Sequence, residues 1–327
     1  MLTVPVSDTS KLQIKLYVIG YKEQGESIIM FFVDTIKDVV VYSIVIDSCL
    51  ANDGSSKTIE ILNKKHISKI NILCWTHPDI DHTLGIDALV NDYCDKTTKI
   101  LIPYGLFGRD SDPIDYNEGD LERIKNLYQY NTRRAKCVIP IGPASGDWER
   151  VIDLQFDDIL NPTDVIIRAM SPHKEYVTEN FAKDNKIEKN HLSISLMVKV
   201  GDYKFDFCGD ITSRTINHIW NPPFDRPLFL KTPHHTSRYS LNLLDILTTD
   251  ANSLACTTTF SREGLPHDDA IQLYLERYKV FHTTGTTNED NPNYGIVEYT
   301  FDLFDKKQVS IKCQGHAHKI EKQEEVL

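Results

Sequence analysis

The sequence predicts an α/β fold built from packed layers, and three observations carry that expectation. Short apolar segments with the alternation of β-strands recur along the chain, separated by segments with helical periodicity. The 327 residues are 41% hydrophobic and 25% charged, a globular balance, and a chain this long needs no disulfide staples. The longest apolar runs are short: 28–33 holds six residues and 39–46 is interrupted by Ser43. Neither approaches the ~20 residues that span a bilayer, so no membrane association is expected.

Taken in order, residues 12–20, 27–33 and 39–47 read as consecutive strands. Ser55 or Ser56 is placed to cap a helix that runs to about His66. Residues 71–75 form a short apolar strand that stops at Thr76-His77-Pro78. A helix is expected from about 84 to 94, then a strand near 99–102. Residues 103–150 hold Pro, Gly and many charges and read as an insertion, with a helix at about 118–130 inside it. Strands resume near 164–170. In 192–200, Leu192, Ile194, Leu196, Val198 and Val200 share one face, while Ser193, Ser195 and Lys199 share the other. Only Met197 breaks the polar face, which predicts a half-buried strand. Residues 203–208 pair with it as a hairpin through Gly201-Asp202, and a strand at 228–231 follows. The strand–loop–helix rhythm continues to about residue 300, and the last residues, HKIEKQEEVL, read as a solvated tail.

Charge and cysteine usage exclude several classes. The net charge of −11 disfavours a basic surface that grips nucleic acid along its length, while leaving room for a local basic or metal-lined cleft. The first residues lack a basic segment followed by an apolar one, so no secretory signal is expected. Seven scattered cysteines with no CxxC read as reduced thiols of a cytoplasmic protein, without a Cys-based zinc knuckle. No GxSxG or GxxxxGK[ST] segment supports a serine nucleophile or a phosphate-binding P-loop.

The chemistry concentrates in Cys74-Trp75-Thr76-His77-Pro78-Asp79-Ile80-Asp81-His82. Four candidate ligands lie within six residues, just past an apolar strand. A turn leaving a strand end can aim His77 and Asp79 at one ion, and Asp81 and His82 at a second. Imidazole with carboxylate suits Zn, Mn or Fe. The alternative is a polar loop capping a helix, with Asp81 as the N-cap. Four ligand-type side chains packed this closely favour the metal reading. Asp210 follows a strand and a glycine, with an N-cap for a helix over 212–220 as its alternative reading.

This segment resembles the HxHxDH signature of the metallo-β-lactamase superfamily, with Asp79 in place of the second His. HPDxDH is similar to the form in the hydrolase domain of ComEC-type DNA-uptake competence proteins. Other segments match in order: GESIIM (25–30), IVIDSC (44–49), NHLSISL (190–196), FCGD (207–210), KTPHHTS (231–237) and Pro266-His267-Asp268. The similarity spans about residues 12–300, with 103–150 poorly matched. Where the family has glycines this chain has Thr236, and Ser48-Cys49 follow Asp47. Thr83-Leu84-Gly85 follows the main motif.

The resemblance implies a four-layer αββα sandwich over residues 1–310, with the site at one edge of two sheets and a tail at 311–327. It implies a dinuclear metal-dependent hydrolase holding a hydroxide between two divalent ions, Zn or Mn. The expected ligands are His77, Asp79, Asp81, His82, His173, Asp210 and His234, with Asp210 bridging and Asp81 also catalytic. One of His234 and His235 binds metal and the other faces substrate; His235 is assigned the catalytic part, and the order stays open. His191 is a weaker rival to His173. Asp47 is expected to orient a ligand histidine, and His267 to contact substrate. The implied substrate is a phosphodiester in nucleic acid or a nucleotide, cut by a phosphodiesterase or an effector nuclease of a bacterial antiviral system. Alternatives are a phosphomonoester, phosphocholine-ester or lactone hydrolase, or a regulatory subunit docking to an ATPase or protease partner through 103–150.

Overall fold

Strand alternation divides the apolar side chains between two buried layers. In β2 (Leu12–Tyr21), Leu12, Ile14, Leu16 and Val18 join one cluster, while Tyr17, Ile19 and Tyr21 join another. In β3 (Gly25–Asp34), Ile28, Met30 and Phe32 separate from Ile29, Phe31 and Val33 in the same way. The computed structural model describes residues 2–106, 138–144, 147–157, 163–184, 188–219, 225–285, 294–303 and 309–322.

Among the described residues the strands form two mixed sheets. The first has eight strands in the order β16 (Val309–Gly315), β15 (Tyr294–Asp302), β2, β3, β4 (Val39–Ile46), β5 (Ile72–Cys74), β6 (Lys99–Pro103) and β7 (Val138–Ile141). The second has nine: β1 (Leu2–Pro5), β8 (Glu149–Asp157), β9 (Thr163–Ser171), β10 (Ser195–Val200), β11 (Tyr203–Phe207), β12 (Phe229–Lys231), β13 (Leu254–Thr257), β14 (Val280–Thr283) and β17 (His318–Ile320). The sheets face each other across one cluster, to which Leu16, Met30 and Ile44 contribute from the first and Ile167, Val198 and Phe205 from the second. The helices Lys57–Lys64 and Ile86–Tyr93 cover the outer face of the first sheet through Leu62, Ile86 and Leu89. The helices Leu243–Ile246 and Asp268–Arg277 cover the second through Leu243, Ile271 and Tyr274. The result is the αββα layering that the resemblance implied.

Several local expectations change. Ser56 caps the helix Lys57–Lys64 by accepting from Ile59 N at 3.3 Å. The helix expected over 84–94 is found at Ile86–Tyr93, and a further short helix, Ile80–Thr83, precedes it. Gly85 separates them with φ of 89°, where a Cβ would stand 2.8 Å from Leu50. The strand expected at 192–200 begins at Ser195, after a 3-10 turn Lys189–Leu192. It is buried on both faces save for Lys199, because the helical layer covers Met197 on the far side. The helix expected over 212–220 is a single turn, Ser213–Ile216, and Thr212 rather than Asp210 holds its N-cap position.

The strand Leu2–Pro5, which alternation alone did not reveal, pairs in parallel with β8. The strand expected near 99–102 is β6, and part of the insertion expected over 103–150 is sheet, since β7 and the start of β8 lie within it. The helix at 118–130 falls outside the described residues. The tail expected from 311 is also corrected, since β16 pairs with β15 and β17 with β14. The boundary at 310 therefore cuts through β16, whose Val309 and Ile311 pack on the inter-sheet core. The six cysteines among the described residues are free thiols. No described helix is long and apolar enough to cross a membrane.

Candidate metal centre

The site stands at the carboxyl ends of parallel strands, where side chains leaving neighbouring strands converge. Asp47 follows β4, His77 follows β5, Asp210 follows β11 and the His234-His235 pair follows β12. The backbone is bent hard to aim them. Asp47, His234, His235 and Thr236 adopt φ of 57°, 47°, 49° and 62°. Such left-handed conformations cost non-glycine residues about 1 kcal/mol or more each, so neighbouring contacts must hold them. Thr236 is held by its hydroxyl, 2.8 Å from Thr232 Oγ1 and 2.7 Å from Thr257 Oγ1. Gly209 permits the close turn before Asp210: a Cβ there would stand 2.5 Å from Ser193 Oγ. Ser193 Oγ in turn accepts from Asp210 N at 2.8 Å.

Asp210 is the centre of the constellation. Its Oδ1 lies 3.4 Å from His82 Nε2. Its Oδ2 lies 3.7 Å from His235 Nε2, 3.9 Å from His234 Nε2 and 4.0 Å from His77 Nε2. Asp81 Oδ2 lies 3.0 Å from His235 Nε2 and 3.4 Å from His82 Nε2. Asp79 Oδ2 is 3.7 Å from His77 Nε2. Asp81, His82, Asp210 and His235 offer ligand atoms that all lie within 4.8 Å of one another, and all four residues are buried. His77 Nε2 faces the same Asp210 oxygen as His234 and His235, and its ring centroid lies 4.3 Å from that of His82.

A shell behind these groups fixes their tautomers. His82 Nδ1 lies 2.6 Å from Asp47 Oδ2, a carboxylate that can only accept, so Nδ1 carries the proton. Asp47 also accepts from Thr76 N and Thr76 Oγ1, each at 2.7 Å. With the Thr76 hydroxyl proton spent on Asp47, His77 Nδ1 donates to Thr76 Oγ1 at 3.0 Å. His235 Nδ1 lies 2.8 Å from Thr258 Oγ1 and 3.3 Å from Glu26 Oε2, and Thr258 donates to Glu26. In each neutral ring the lone pair is left on Nε2, facing the carboxylates.

The residues fit divalent metal. The buried Nε2 atoms of His77 and His82 and the Oδ1 of Asp210 have no hydrogen-bond partner. Lone pairs facing carboxylate oxygens at 3.0–3.7 Å repel unless a proton or a cation stands between them. Glu26, Asp47, Asp81 and Asp210 are all buried here, and Lys231 is the fixed cation among them. Without metal, protons fill the gap. Burial alone would push His82 and His235 down, but Asp210 with Asp81 and Asp47, or with Glu26 and Asp81, outweighs it and raises both. Burial would push Asp210 up, and the facing histidines hold it well below the usual carboxylate range. A mixed His and Asp donor set of this kind suits Zn or Mn.

The remaining expectations are placed as follows. His235, assigned to substrate, sits buried inside the tight ligand group, while His234 keeps 17% of its side-chain surface and contacts Asn190 Nδ2 at 3.3 Å. Both residues are left-handed and both bring Nε2 to within 4 Å of the same Asp210 oxygen, which residue order could not reveal. His173, expected as a ligand, does not join the cluster. Its Nδ1 lies 3.2 Å from Ala144 O and its ring is beside His218. His191 is likewise elsewhere, 3.1 Å from both Tyr176 OH and Glu188 Oε2. His267 lines the cavity over the site and accepts from Arg238 N at 3.2 Å. Asp79 is partly exposed, 3.3 Å from Lys189 Nζ. Sequence reasoning missed Glu26, Lys231 and Thr258. A charged residue opening the apolar run 25–33 was the signal for Glu26.

The described residues form the four-layer αββα sandwich that the sequence resemblance implies. No family model and no curated relative matches it. Distant likenesses appear among solved structures. A new diphosphatase from the PhnP family is 12% identical, with 89% of this chain and 99% of that one covered at a TM-score of 0.40. Zn(2+)-bound PqqB from Methylobacterium extorquens is 11% identical, with 67% and 72% covered at 0.33. A CmlA beta-hydroxylase mutant is 14% identical at 0.34, and this chain spans only 35% of its length. At such scores none of these bears on what this chain does.

Proposed function

We propose that this chain is a dinuclear metal-dependent hydrolase of phosphodiesters. The observation that carries the proposal is the position of Asp210, whose carboxylate lies within 4.0 Å of the Nε2 atoms of His77, His82, His234 and His235. In this reading His77, Asp79 and Asp210 would hold one ion, and Asp81, His82, His235 and Asp210 would hold the other. Two divalent ions, Zn or Mn, supply a water whose pKa falls toward ~7 and charge stabilisation for the attacked phosphorus.

The chain's own groups do the rest. Asp47, Thr76 and Glu26 fix the protons of His82, His77 and His235 on Nδ1, which keeps each Nε2 aimed at the centre. Asp81, within 3.4 Å of both His82 and His235, would accept a hydrogen bond from such a water. His234, more open and at the edge of a cavity of about 620 Å3, faces the phosphoryl oxygens of the substrate. The resemblance to ComEC-type hydrolase domains supports a phosphodiester substrate over a lactone or a phosphocholine ester, and an effector nuclease of an antiviral system is the setting it suggests.

The test is hydrolysis of bis(p-nitrophenyl) phosphate by protein loaded with Mn or Zn. Metal-dependent turnover, lost in a His82→Ala, Asp210→Ala double variant, is expected. Full activity in that variant would sink the reading.

A further inference from the structure

Not every side chain that lines the cavity is placed to hold metal. Tyr239, Phe260, Arg262 and His267 line it together with Asp81, Asp210 and His235. Tyr239 is 71% exposed, the most exposed large apolar side chain among the described residues, and Ile80, 37% exposed, lines the same cavity. The other exposed apolar side chains, Leu2, Ile36, Val39 and Leu273, do not line it.

The backbone of Tyr239 is tied down although its ring is free. Ser237 Oγ accepts from Tyr239 N at 3.3 Å, and Tyr239 O accepts from Ser213 Oγ at 2.8 Å. Arg238 locks the same turn to the helix Asp268–Arg277 through Asp269, with Nε 2.6 Å from Oδ2. An exposed ring contributes little burial to folding, so a rigid one at a cavity rim is available for a ligand. Phe260, which lines the same cavity, stacks on His235 with centroids 5.5 Å apart and an interplanar angle of 27°. That contact anchors the turn Ser261–Glu263, which presents Arg262 with no ion-pair partner among the described residues and Glu263 beside it.

A free aromatic ring, an unpaired guanidinium and a carboxylate around one cavity match a base, a phosphate and sugar hydroxyls. We propose that Tyr239, with Ile80 in the same cavity, is a stacking platform for the base of a single nucleotide whose phosphodiester lies toward Asp81 and Asp210. The substrate class is then a small nucleotide phosphodiester rather than a long duplex. A cavity of about 620 Å3 and a net charge of −11 both favour the shorter polyanion. This inference rests on the phosphodiesterase reading above.

Calorimetric titration of the metal-loaded chain with thymidine 5′-monophosphate and with 2-deoxyribose 5-phosphate isolates the base. The nucleotide is expected to bind on the order of tenfold tighter than the sugar phosphate, from the worth of one base–aromatic stack. Tyr239→Ala should bring that ratio close to unity, and Tyr239→Phe should keep it. Equal affinities in the unmodified chain, no binding of either probe, or a ratio that survives Tyr239→Ala would overturn the proposal. Hydrolysis of thymidine 5′-(p-nitrophenyl phosphate) and methyl p-nitrophenyl phosphate separates the two levels of inference. Equal cleavage of both, unaltered by Tyr239→Ala, overturns the stacking platform and leaves the phosphodiesterase standing. Cleavage of neither overturns the phosphodiesterase and the platform's substrate together.

Discussion

Lys231 Nζ lies 2.7 Å from Glu26 Oε2, and both side chains are buried. Lys231 ends β12 of the nine-stranded sheet, and Glu26 stands near the start of β3 in the eight-stranded sheet. The pair therefore ties the two sheets together directly behind His235. Removing one partner leaves a buried charge uncompensated. Glu26→Gln or Lys231→Met alone is expected to cost about 3–5 kcal/mol. The double variant should lose much less than the sum. Urea denaturation of the three variants checks this, and additive losses would contradict the pairing.

Asp47→Asn tests the shell behind His82. An amide cannot accept from Thr76 N, Thr76 Oγ1 and His82 Nδ1 together, as the carboxylate does. Metal affinity is expected to fall about 10–100-fold. Competition with a chromogenic chelator measures it, and an affinity equal to that of the unmodified chain would refute the orienting role.

Gly25 tests a close approach between two elements of the site. Its φ is 120°, and a Cβ there would fall 1.8 Å from Asp81 O. Gly25→Ala must displace the turn carrying Asp81 and His82, so both melting temperature and metal binding should drop. Gly54→Ala is the control: its φ is 81° but nothing lies within 4 Å of the added Cβ. That variant carries the backbone strain, about 1 kcal/mol, without the clash. Equal melting temperatures for the two variants would contradict the contact.

Asp206 gives the stability a pH dependence outside the metal centre. Both of its carboxylate oxygens are buried with no hydrogen-bond partner. Burial pushes its pKa from 3.8 up to about 8, with Lys204 opposing. Between those values the folded chain holds a proton that the unfolded chain has released. The contribution to stability is therefore full below about 4 and is lost as pH rises to about 8. Asp206→Asn should remove that slope. Its gain over the unmodified chain should grow from small at pH 5 to a few kcal/mol at pH 8. A gain that is constant with pH would contradict the buried neutral acid.

The sequence revealed the fold where local rules suffice. The alternation of β2 and β3 and the serine cap at Ser56 are local, and so was the break of the strand before Thr76. The ligand run His77 to His82 was legible because its donors are adjacent in the chain. What stayed hidden depends on distant residues. Thr236 takes a glycine's conformation only because Thr232 and Thr257 hold its hydroxyl. The burial of His235 beside a partly exposed His234 comes with three successive left-handed residues, which no local pattern reveals. His173 was placed by analogy after a strand, and the structure turns it toward Ala144 and His218. The pairing of β16 and β17 joins residues near the end of the chain to β15 and β14, which no local pattern specifies.

The most direct measurement is metal content by mass spectrometry, on the unmodified chain and on Asp210→Ala, after exchange against Zn and Mn. Because Asp210 faces both sets of ligands, two ions per chain are expected in the first and fewer than one in the second. No bound metal in the unmodified chain, or two ions retained without Asp210, would contradict the dinuclear centre.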